Sequence, residues 1–392
     1  MRLVAVGFLS AWSLFAQQTA WAPYDSAFHH FYNLEYDQAI AELEKALVAE
    51  PNSISLHNYM AQCIQFREMF KVGALESELV TGNNSFLRRP KIDTTPEIEK
   101  RFFDEVQKAI SLAEALLKTD PNNTKALYAL GVTYGLRGNW NFLVRKSWRE
   151  ALRDATTARK MHNRVTELDP SDYDARLVQG AHDYIIGSLP PLYKMLGFLV
   201  GYRGDREKGI RTLREVAAKG KANSVDAKVF LCAMYRREEK WKEAAPLLDD
   251  LIQRFPRNYL LRFEQAQMFS STGQKDKAIA TIQKMAELKK SGAPGFTNLA
   301  AERIFYHIGN IQFWYRDYDQ ALDNLKKATS GSSVLDLNTG TLAWMRMGQV
   351  YDLTNRRDLA MEAYRKAIAF APQAEGAKES RRYLSSPYRR EG

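Results

Sequence analysis

The stretch of sequence that decides the fold runs from Trp344 to Pro372 and reads WMRMGQVYDLTNRRDLAMEAYRKAIAFAP. Large and small residues recur in it at helical spacing, at Trp344, Met347, Gly348, Tyr351, Ala360, Tyr364 and Ala367. Small residues at such positions let two antiparallel helices approach closely, and large residues fill the groove between them. Proline cannot continue a helix, so Pro372 marks the end of the second one. The stretch therefore predicts one pair of antiparallel helices.

The same pattern recurs along the chain, and one copy follows another in register, since Ala278 lies 34 residues after Ala244. The matching positions are Ala39, Leu43, Ala46 and Pro51; Leu127, Leu130, Gly131 and Tyr134; Leu231, Cys232, Tyr235, Ala244, Leu248, Leu251 and Pro256; Ala266, Phe269, Ala278, Ile282 and Met285; and Phe305, Ile308, Gly309, Ala321, Leu325 and Ala328. A single helix pair cannot bury its apolar face alone, so the pairs must stack on one another. The sequence predicts an all-α fold, an α-solenoid of antiparallel helix pairs.

The beginning of the chain has the parts of a secretory signal peptide. Arg2 precedes an uncharged apolar run over residues 3–15, and small residues follow at Ala20 and Ala22. Cleavage after Ala16 and cleavage after Ala22 both remain open, and the alternative is a first buried helix of the fold. We expect an exported protein, periplasmic or secreted, with no transmembrane segment in the mature chain, because the next apolar stretch is short and broken by prolines.

The remaining boundaries follow from composition and from the repeats. We predict a signal peptide over 1–22, N-terminal helix pairs over 23–80, an inserted loop over 81–96, central helices over 97–223, C-terminal helix pairs over 224–374, and a capping helix with a basic tail over 375–392. In the central region, the second helix of one pair, over 140–168, is about four turns too long for the motif. The helix pairing between residues 140 and 220 stays open.

These motifs resemble the tetratricopeptide-repeat superfamily over nearly all of the chain after residue 22, and above all its exported bacterial members without an enzyme domain. Residues 201–258 are also similar to a eukaryotic tetratricopeptide family, type 39 and its fungal relatives. The resemblance implies a right-handed superhelix, a concave groove lined by the first helix of each pair, and a protein or peptide ligand. Some members hold a ligand carboxylate with a clamp of Lys, Asn and Arg; of the corresponding positions here, only Asn310 fits that clamp.

The repeat frame assigns the second, fifth, ninth and twelfth positions of each first helix to the concave side. These positions give a predicted binding groove of Tyr24, Phe28, Phe31, Tyr128, Tyr184, Phe263, Tyr306, Asn310 and Phe313, with Trp21 before them. Rings spaced one per turn suit an extended peptide or a helix, because they offer large contact area at low entropic cost.

The alternative is that these rings belong to the core. It is favoured in the first unit, where the packing face would otherwise consist of the small and polar residues Pro23, Ser26, Ala27 and His30. The groove is favoured for Tyr128, Phe263 and Tyr306, because apolar neighbours already fill the packing face there, namely Leu127, Leu130 and Phe305.

No catalytic motif accompanies the repeats. The sequence contains no Gly-rich phosphate loop, HExxH, GxSxG or paired-Cys motif, and its two cysteines, Cys63 and Cys232, lie within apolar helical patterns. We therefore predict a non-enzymatic protein without catalytic residues, metal site or cofactor. We also predict no disulfide between the cysteines, since in a solenoid each unit touches mainly its neighbours.

Charge leaves a second interpretation open. The chain has 56 Lys and Arg against 46 Asp and Glu, a net charge of +10, and most basic residues are spaced as solvated helix faces. We predict an interaction scaffold of the cell envelope that binds a protein or peptide, and no nucleic acid, because export removes the chain from it. The alternatives are a basic repeat protein that binds acidic lipid, polysaccharide or nucleic acid, and a substrate-binding accessory to an envelope enzyme.

Overall fold

Helices formed by these patterns follow one another along the whole of the computed structural model, which describes residues 24–75, 91–189, 203–331 and 334–390. The predicted signal peptide and most of the predicted inserted loop lie outside the described residues. The first eight α-helices are α1 Asp25–Tyr32, α2 Tyr36–Ala49, α3 Ile54–Lys71, α4 Pro96–Thr119, α5 Thr124–Trp140, α6 Trp148–Leu168, α7 Leu177–Gly187 and α8 Arg206–Lys219. The remaining nine are α9 Ser224–Arg237, α10 Trp241–Arg254, α11 Tyr259–Ser271, α12 Lys275–Lys290, α13 Ala301–Trp314, α14 Tyr318–Ser330, α15 Leu337–Leu353, α16 Arg357–Phe370 and α17 Glu375–Ser385.

Consecutive helices pack as antiparallel pairs, from α1 with α2 to α15 with α16, and α17 caps the last pair. No strand occurs in the four described ranges, and the predicted all-α class is confirmed. The closest crossings require small residues, as the sequence indicates. A Cβ atom on Gly348 would lie 2.5 Å from the ring of Tyr364, and one on Gly131 would lie 2.7 Å from Nε2 of His162.

One tight turn joins the two helices of five pairs in the same way. Each turn contains a residue with positive φ, namely Leu34, Glu239, Gly273, Arg316 and Asn355. The residue that follows donates its backbone N–H to the carbonyl five positions earlier, as Glu35 does to His30 and Arg356 to Tyr351. This bond closes the helix end by satisfying a carbonyl that the helix itself leaves unpaired. The recurring turn keeps the second helix of each pair antiparallel to the first.

The pairing between residues 140 and 220 is now assigned. Helix α5 does not end at Trp140 but continues into a π-helical turn, Asn141–Arg145, and Lys146 reverses the chain with a φ of 55° before α6 begins. Residues 140–145, which the sequence assigned to a second helix, therefore belong to the first. The second helix is shorter than predicted, but with 21 residues it remains longer than those of the C-terminal pairs. Helix α7 then pairs with α8, and α6 packs against α5.

The first two units also contact units far along the chain, which the sequence did not predict. The ring of Tyr32 stacks on Phe255 at 4.9 Å between centroids, and the ring of Phe70 lies 6.2 Å from that of Tyr259. Both cysteines belong to one continuous apolar cluster that includes residues of α1, α3 and α10, and both thiols are free. Each unit still packs mainly on its neighbours, as expected. The contacts of α1 with α9 to α11 are additional, and they arise because the superhelix brings the N-terminal unit back against later units.

Candidate functional site

Three tyrosines lie together on the surface that the first helices of the pairs form. We refer to this surface as the inner face. Tyr24 directly precedes α1, Tyr59 lies in α3 and Tyr128 lies in α5, so each comes from a different unit. All three are half-buried and keep surface that solvent can reach. We refer to Tyr24, Tyr59 and Tyr128 as the inner tyrosine cluster.

The surroundings of this cluster are polar and acidic. Asn223 donates from Nδ2 to the hydroxyl of Tyr128 at 3.0 Å and to the backbone carbonyl of Asp174 at 2.9 Å. The carboxylate of Asp174 in turn accepts the backbone N–H groups of residues 221, 222 and 223 at 2.9–3.1 Å. These bonds fix Asn223 and Asp174 against the start of α9 and thereby orient the phenol of Tyr128.

Burial and neighbouring negative charge move the pKa values of the three phenols further above neutral. Burial, followed by a hydrogen bond and the charge of Glu50, raises the pKa of Tyr24 to about 12. Burial also raises the pKa of Tyr59 to about 12, and the charges of Asp174 and Asp226 add to the shift. The same two causes, burial first and then Asp174, raise the pKa of Tyr128. At neutral pH the cluster therefore offers neutral hydroxyls beside carboxylates.

Asp226 links this face to the N-terminal helix. Its Oδ1 accepts a hydrogen bond from the hydroxyl of Tyr32 at 2.7 Å. Burial raises the pKa of Asp226 to about 6, the bond from Tyr32 acts in the opposite direction, and the charge of Asp174 adds to the rise. Asp226 is therefore mostly ionised at neutral pH and becomes protonated in mild acid.

A second group of contacts, which we call the clasp, joins α1 to the turn before α11. The guanidinium of Arg257 donates to both oxygens of Glu35 at 2.7 and 2.9 Å, and its backbone N–H donates to Oδ1 of Asn33 at 2.9 Å. Asn258 donates from Nδ2 to the carbonyl of Tyr32 at 2.8 Å, and Nδ1 of His30 lies 2.6 Å from Glu35. A bidentate pair of this kind is both directional and strong.

The charges of the clasp reinforce one another. Burial alone would raise the pKa of Glu35, but the hydrogen bonds and charges of Arg257 and His30 outweigh burial and lower it. The hydrogen bonds that Arg257 donates to Glu35 likewise raise the pKa of Arg257. The pair of Glu35 and Arg257 is therefore ionised across the neutral range, and the clasp holds the N-terminal unit at one side of the inner face.

The structure places most of the predicted groove residues in the core. Seven of the nine have at most 6% of their surface exposed, namely Phe28, Phe31, Tyr184, Phe263, Tyr306, Asn310 and Phe313. The reason is that neighbouring first helices pack over them: His307 stacks on Phe263 at 3.8 Å, and Arg346 covers Phe313 while it donates to Asn310. A ligand has no access to these side chains here, which corrects the expectation of a continuous aromatic groove and agrees with the core alternative. Only Tyr24 and Tyr128 keep reachable surface.

Tyr59 was missed because its helix hides the repeat pattern. Helix α3 carries the polar residues Asn58 and Gln65 on the face that packs on α5. Their amides donate to the carbonyls of Ala129 and Leu136 at 2.9 and 3.1 Å. Both residues lie 71 positions before the carbonyl they contact, so the two helices pack in register. The sequence carries no signal of this contact, because the acceptors are backbone carbonyls, which every residue has.

The described part of the inner face presents phenols, amides and carboxylates. Among the described residues, no three His, Cys, Asp or Glu side chains converge as metal ligands. Burial raises the pKa of both the Cys63 and Cys232 thiols, which makes them poor nucleophiles. Hydrogen bonding and ring contact are what this surface can offer.

Comparison with known families agrees with this architecture. Residues 175–335 match the family described as Iml2/Tetratricopeptide repeat protein 39, and residues 342–373 match the family described as Tetratricopeptide repeat. Over these two ranges the chain carries tetratricopeptide repeats. The second match covers the stretch from Trp344 onward, whose spacing predicted a helix pair, and the first includes α9 to α14 with the clasp residue Arg257. No curated protein matches the sequence significantly.

A solved structure of another protein shows the same fold. The crystal structure of the APC/C hetero-tetramer Cut9–Hcn1 superposes with a TM-score of 0.50 at 13% identity, covering 92% of this chain and 54% of the matched chain. This chain thus spans about half the length of that relative. The human IFIT1 dimer with m7Gppp-AAAA gives a TM-score of 0.46 at 14% identity, covering 91% and 78%. Yeast Tom70 gives 0.40 at 11% identity, covering 93% and 87%.

Proposed function

We propose that this protein is a non-catalytic interaction scaffold of the cell envelope, and that it binds a peptide or helical segment at its inner face. The observation that carries the proposal is the inner tyrosine cluster. Tyrosine is enriched at binding hot spots because its ring supplies contact area and its hydroxyl supplies a hydrogen bond. Three tyrosines from three successive units, each with reachable surface, suit a ligand that runs along the first helices.

The acidic groups near the cluster define the ligand further. Glu50, Asp174 and Asp226 all act on the phenols, so a segment with a basic or otherwise donor-rich side chain complements this surface. A strongly acidic segment would meet repulsion there. The scaffold role also accords with the tetratricopeptide repeats, which in general mediate contacts between proteins.

The envelope location rests on the order of residues 2–22, in which a basic residue, an apolar run and small residues follow one another. The described helices include none that is both long enough and apolar enough to cross a membrane. A substrate-binding accessory to an envelope enzyme is the second candidate, since its ligand would occupy the same inner face.

The test is a selection of peptides from a random library by the purified chain, followed by measurement of the dissociation constant. We expect Tyr59→Ala and Tyr128→Ala each to raise that constant by roughly tenfold or more, as is typical of hot-spot tyrosines. Tyr318→Ala is the matched control, because Tyr318 is a half-buried tyrosine on a second helix, away from the inner face. The dissociation constant of the Tyr318→Ala variant for the selected peptide should stay within about twofold of the wild-type value.

Failure of the proposal would be equally visible. If the library yields no binding peptide, or if both cluster variants bind as tightly as the Tyr318 variant, the inner tyrosine cluster is not the binding surface. Thermal unfolding of each variant is measured in parallel, and Tyr59→Phe and Tyr128→Phe serve where an alanine variant loses stability.

A further inference from the structure

The start of α6 presents an unusual surface on the outer side of the repeats. Trp148 and Leu152 lie one turn apart and are 48% and 53% exposed. Arg149 and Arg153 form the neighbouring row, also one turn apart and exposed, and Arg145 is exposed just before the helix. We refer to Arg145, Trp148, Arg149, Leu152 and Arg153 as the basic aromatic patch.

Packing of the repeat does not account for this patch. Helix α6 turns a different face to the core, formed by Ala151, Asp154, Ala158, His162 and Val165. A large aromatic and a large aliphatic side chain that stand together in solvent, bordered by charged residues, mark a contact surface rather than a structural one. The indole of Trp148 is also held in place, because it meets the ring of Phe142 edge-on at 4.7 Å and 87°.

Charge in the patch has one dominant sign. Residues 145–153 read RKSWREALR, with four basic residues and a single acidic one, Glu150. Arg145 is engaged with Glu99 and covers the ring of Phe103 at 3.9 Å, which orders the edge of the patch. Arg149 and Arg153 lie along one side of the row formed by Trp148 and Leu152.

We propose that the basic aromatic patch docks this protein on an anionic membrane surface. Trp favours the boundary between headgroups and acyl chains, Leu152 would enter the apolar side of that boundary, and the two arginines would reach the lipid phosphates. Basic residues near an anionic bilayer each contribute on the order of a fewfold to tenfold in membrane partition. This docking goes beyond peptide binding at the inner face and uses a second helix, so both contacts can form at once.

A soluble polyanion could contact the basic residues of the patch but not its apolar residues. Nucleic acid or a sulfated polysaccharide would attract the arginines, but the exposed aliphatic side chain of Leu152 adds nothing to such a contact. A bilayer uses both rows of the patch, which is why the combination of Arg149 and Arg153 with Trp148 and Leu152 favours lipid.

Sedimentation with vesicles tests the proposal on the full chain without residues 1–22. Vesicles of phosphatidylcholine alone are compared with vesicles in which one third of the lipid is phosphatidylglycerol. We expect the wild-type protein to bind the mixed vesicles. Its partition coefficient should fall at least about tenfold in Arg149→Glu/Arg153→Glu and roughly threefold to tenfold in Leu152→Ala. Lys326→Glu/Arg365→Glu makes the same change of charge at exposed residues of α14 and α16, and should reduce partition by less than about threefold.

Three results would overturn the proposal. Equal losses for the patch variant and the control variant would show diffuse attraction rather than a docking surface. Unchanged partition of Leu152→Ala, together with retention of the chain on heparin that needs Arg149 and Arg153, would show a polyanion site. Absence of binding to the mixed vesicles would exclude lipid docking outright. Thermal unfolding monitored by circular dichroism confirms that each variant is folded, and the 53% exposure of Leu152 makes Leu152→Ala the safest of them.

Discussion

Replacement of Tyr306 with alanine is expected to lower the free energy of unfolding by about 3–5 kcal/mol, the usual cost of removing a buried aromatic ring. Tyr306 is only 1% exposed and lies in the apolar cluster formed by α13 to α16. Its removal would leave a cavity between two adjacent units, which those units can fill only by shifting their helices. Urea unfolding followed by circular dichroism measures the effect.

Tyr128→Ala is the comparison for this prediction, because Tyr128 occupies the equivalent position of an earlier first helix but remains half-buried. It should cost roughly half as much or less, since its ring already has solvent on one side. If Tyr306→Ala instead unfolds within about 1 kcal/mol of the wild type while peptide binding is lost, Tyr306 lines a groove and the core assignment is incorrect.

Acid is expected to destabilise the protein through His162. This side chain is 2% exposed, and neither ring nitrogen has a hydrogen-bond partner among the described residues. Burial alone lowers the pKa of His162 to about 4. An unfolded histidine has a pKa near 6.5, so between about pH 6.5 and pH 4 the unfolded chain binds a proton that the folded chain does not. The contribution of His162 is therefore fully present above that window and is lost as the pH falls through it.

The measurement is urea unfolding at pH 7.5 and at pH 4.5. From the pKa values above, wild type should lose roughly 2–3 kcal/mol more between these two conditions than His162→Leu does. His29→Leu is the matched control, because the side chain of His29 is 48% exposed and lies at the surface of α1. A loss of stability that is the same in wild type and His162→Leu would show that His162 is protonated in the folded protein.

Two other buried groups act in the same range of pH, which is why variants must be compared. Burial lowers the pKa of His307 well below its usual value, and its contribution has the same sign as that of His162. Asp226 has the opposite sign, because its raised pKa of about 6 means that the folded state takes up a proton first as the pH falls. The total slope therefore mixes opposing contributions, whereas the difference between wild type and His162→Leu isolates one.

The parts of the fold that the sequence predicts are the local ones. Gly348 and Tyr364 belong to one helix pair, and their spacing reflects a contact between adjacent helices. Burial of Phe263 and Phe313 could not be predicted from such spacing. Phe263 is covered by His307, and Phe313 is covered by Arg346, each from the first helix of the next pair. Whether that helix turns these side chains toward the ring depends on how neighbouring units pack. Spacing within a pair carries no information about that rotation.

The contact between the N-terminal unit and α11 could not be predicted from the sequence for a related reason. The clasp joins Glu35 to Arg257 across 222 positions, and such a contact depends on curvature accumulated over several stacked pairs. A small change of angle at each pair would move α1 away from α11 altogether. The inner tyrosine cluster could be predicted only in part: Tyr24 and Tyr128 follow the repeat frame, whereas Tyr59 lies in a helix whose packing face is polar.

Photo-crosslinking tests the central claim, that ligands bind at the inner face, most directly. A benzophenone amino acid is placed at Tyr59, or at Val48, which is 86% exposed on the second helix of the first pair, and each protein is irradiated with a peptide from the library selection. We expect a covalent adduct from position 59 and essentially none from position 48. An adduct from position 48 with none from position 59 would contradict it.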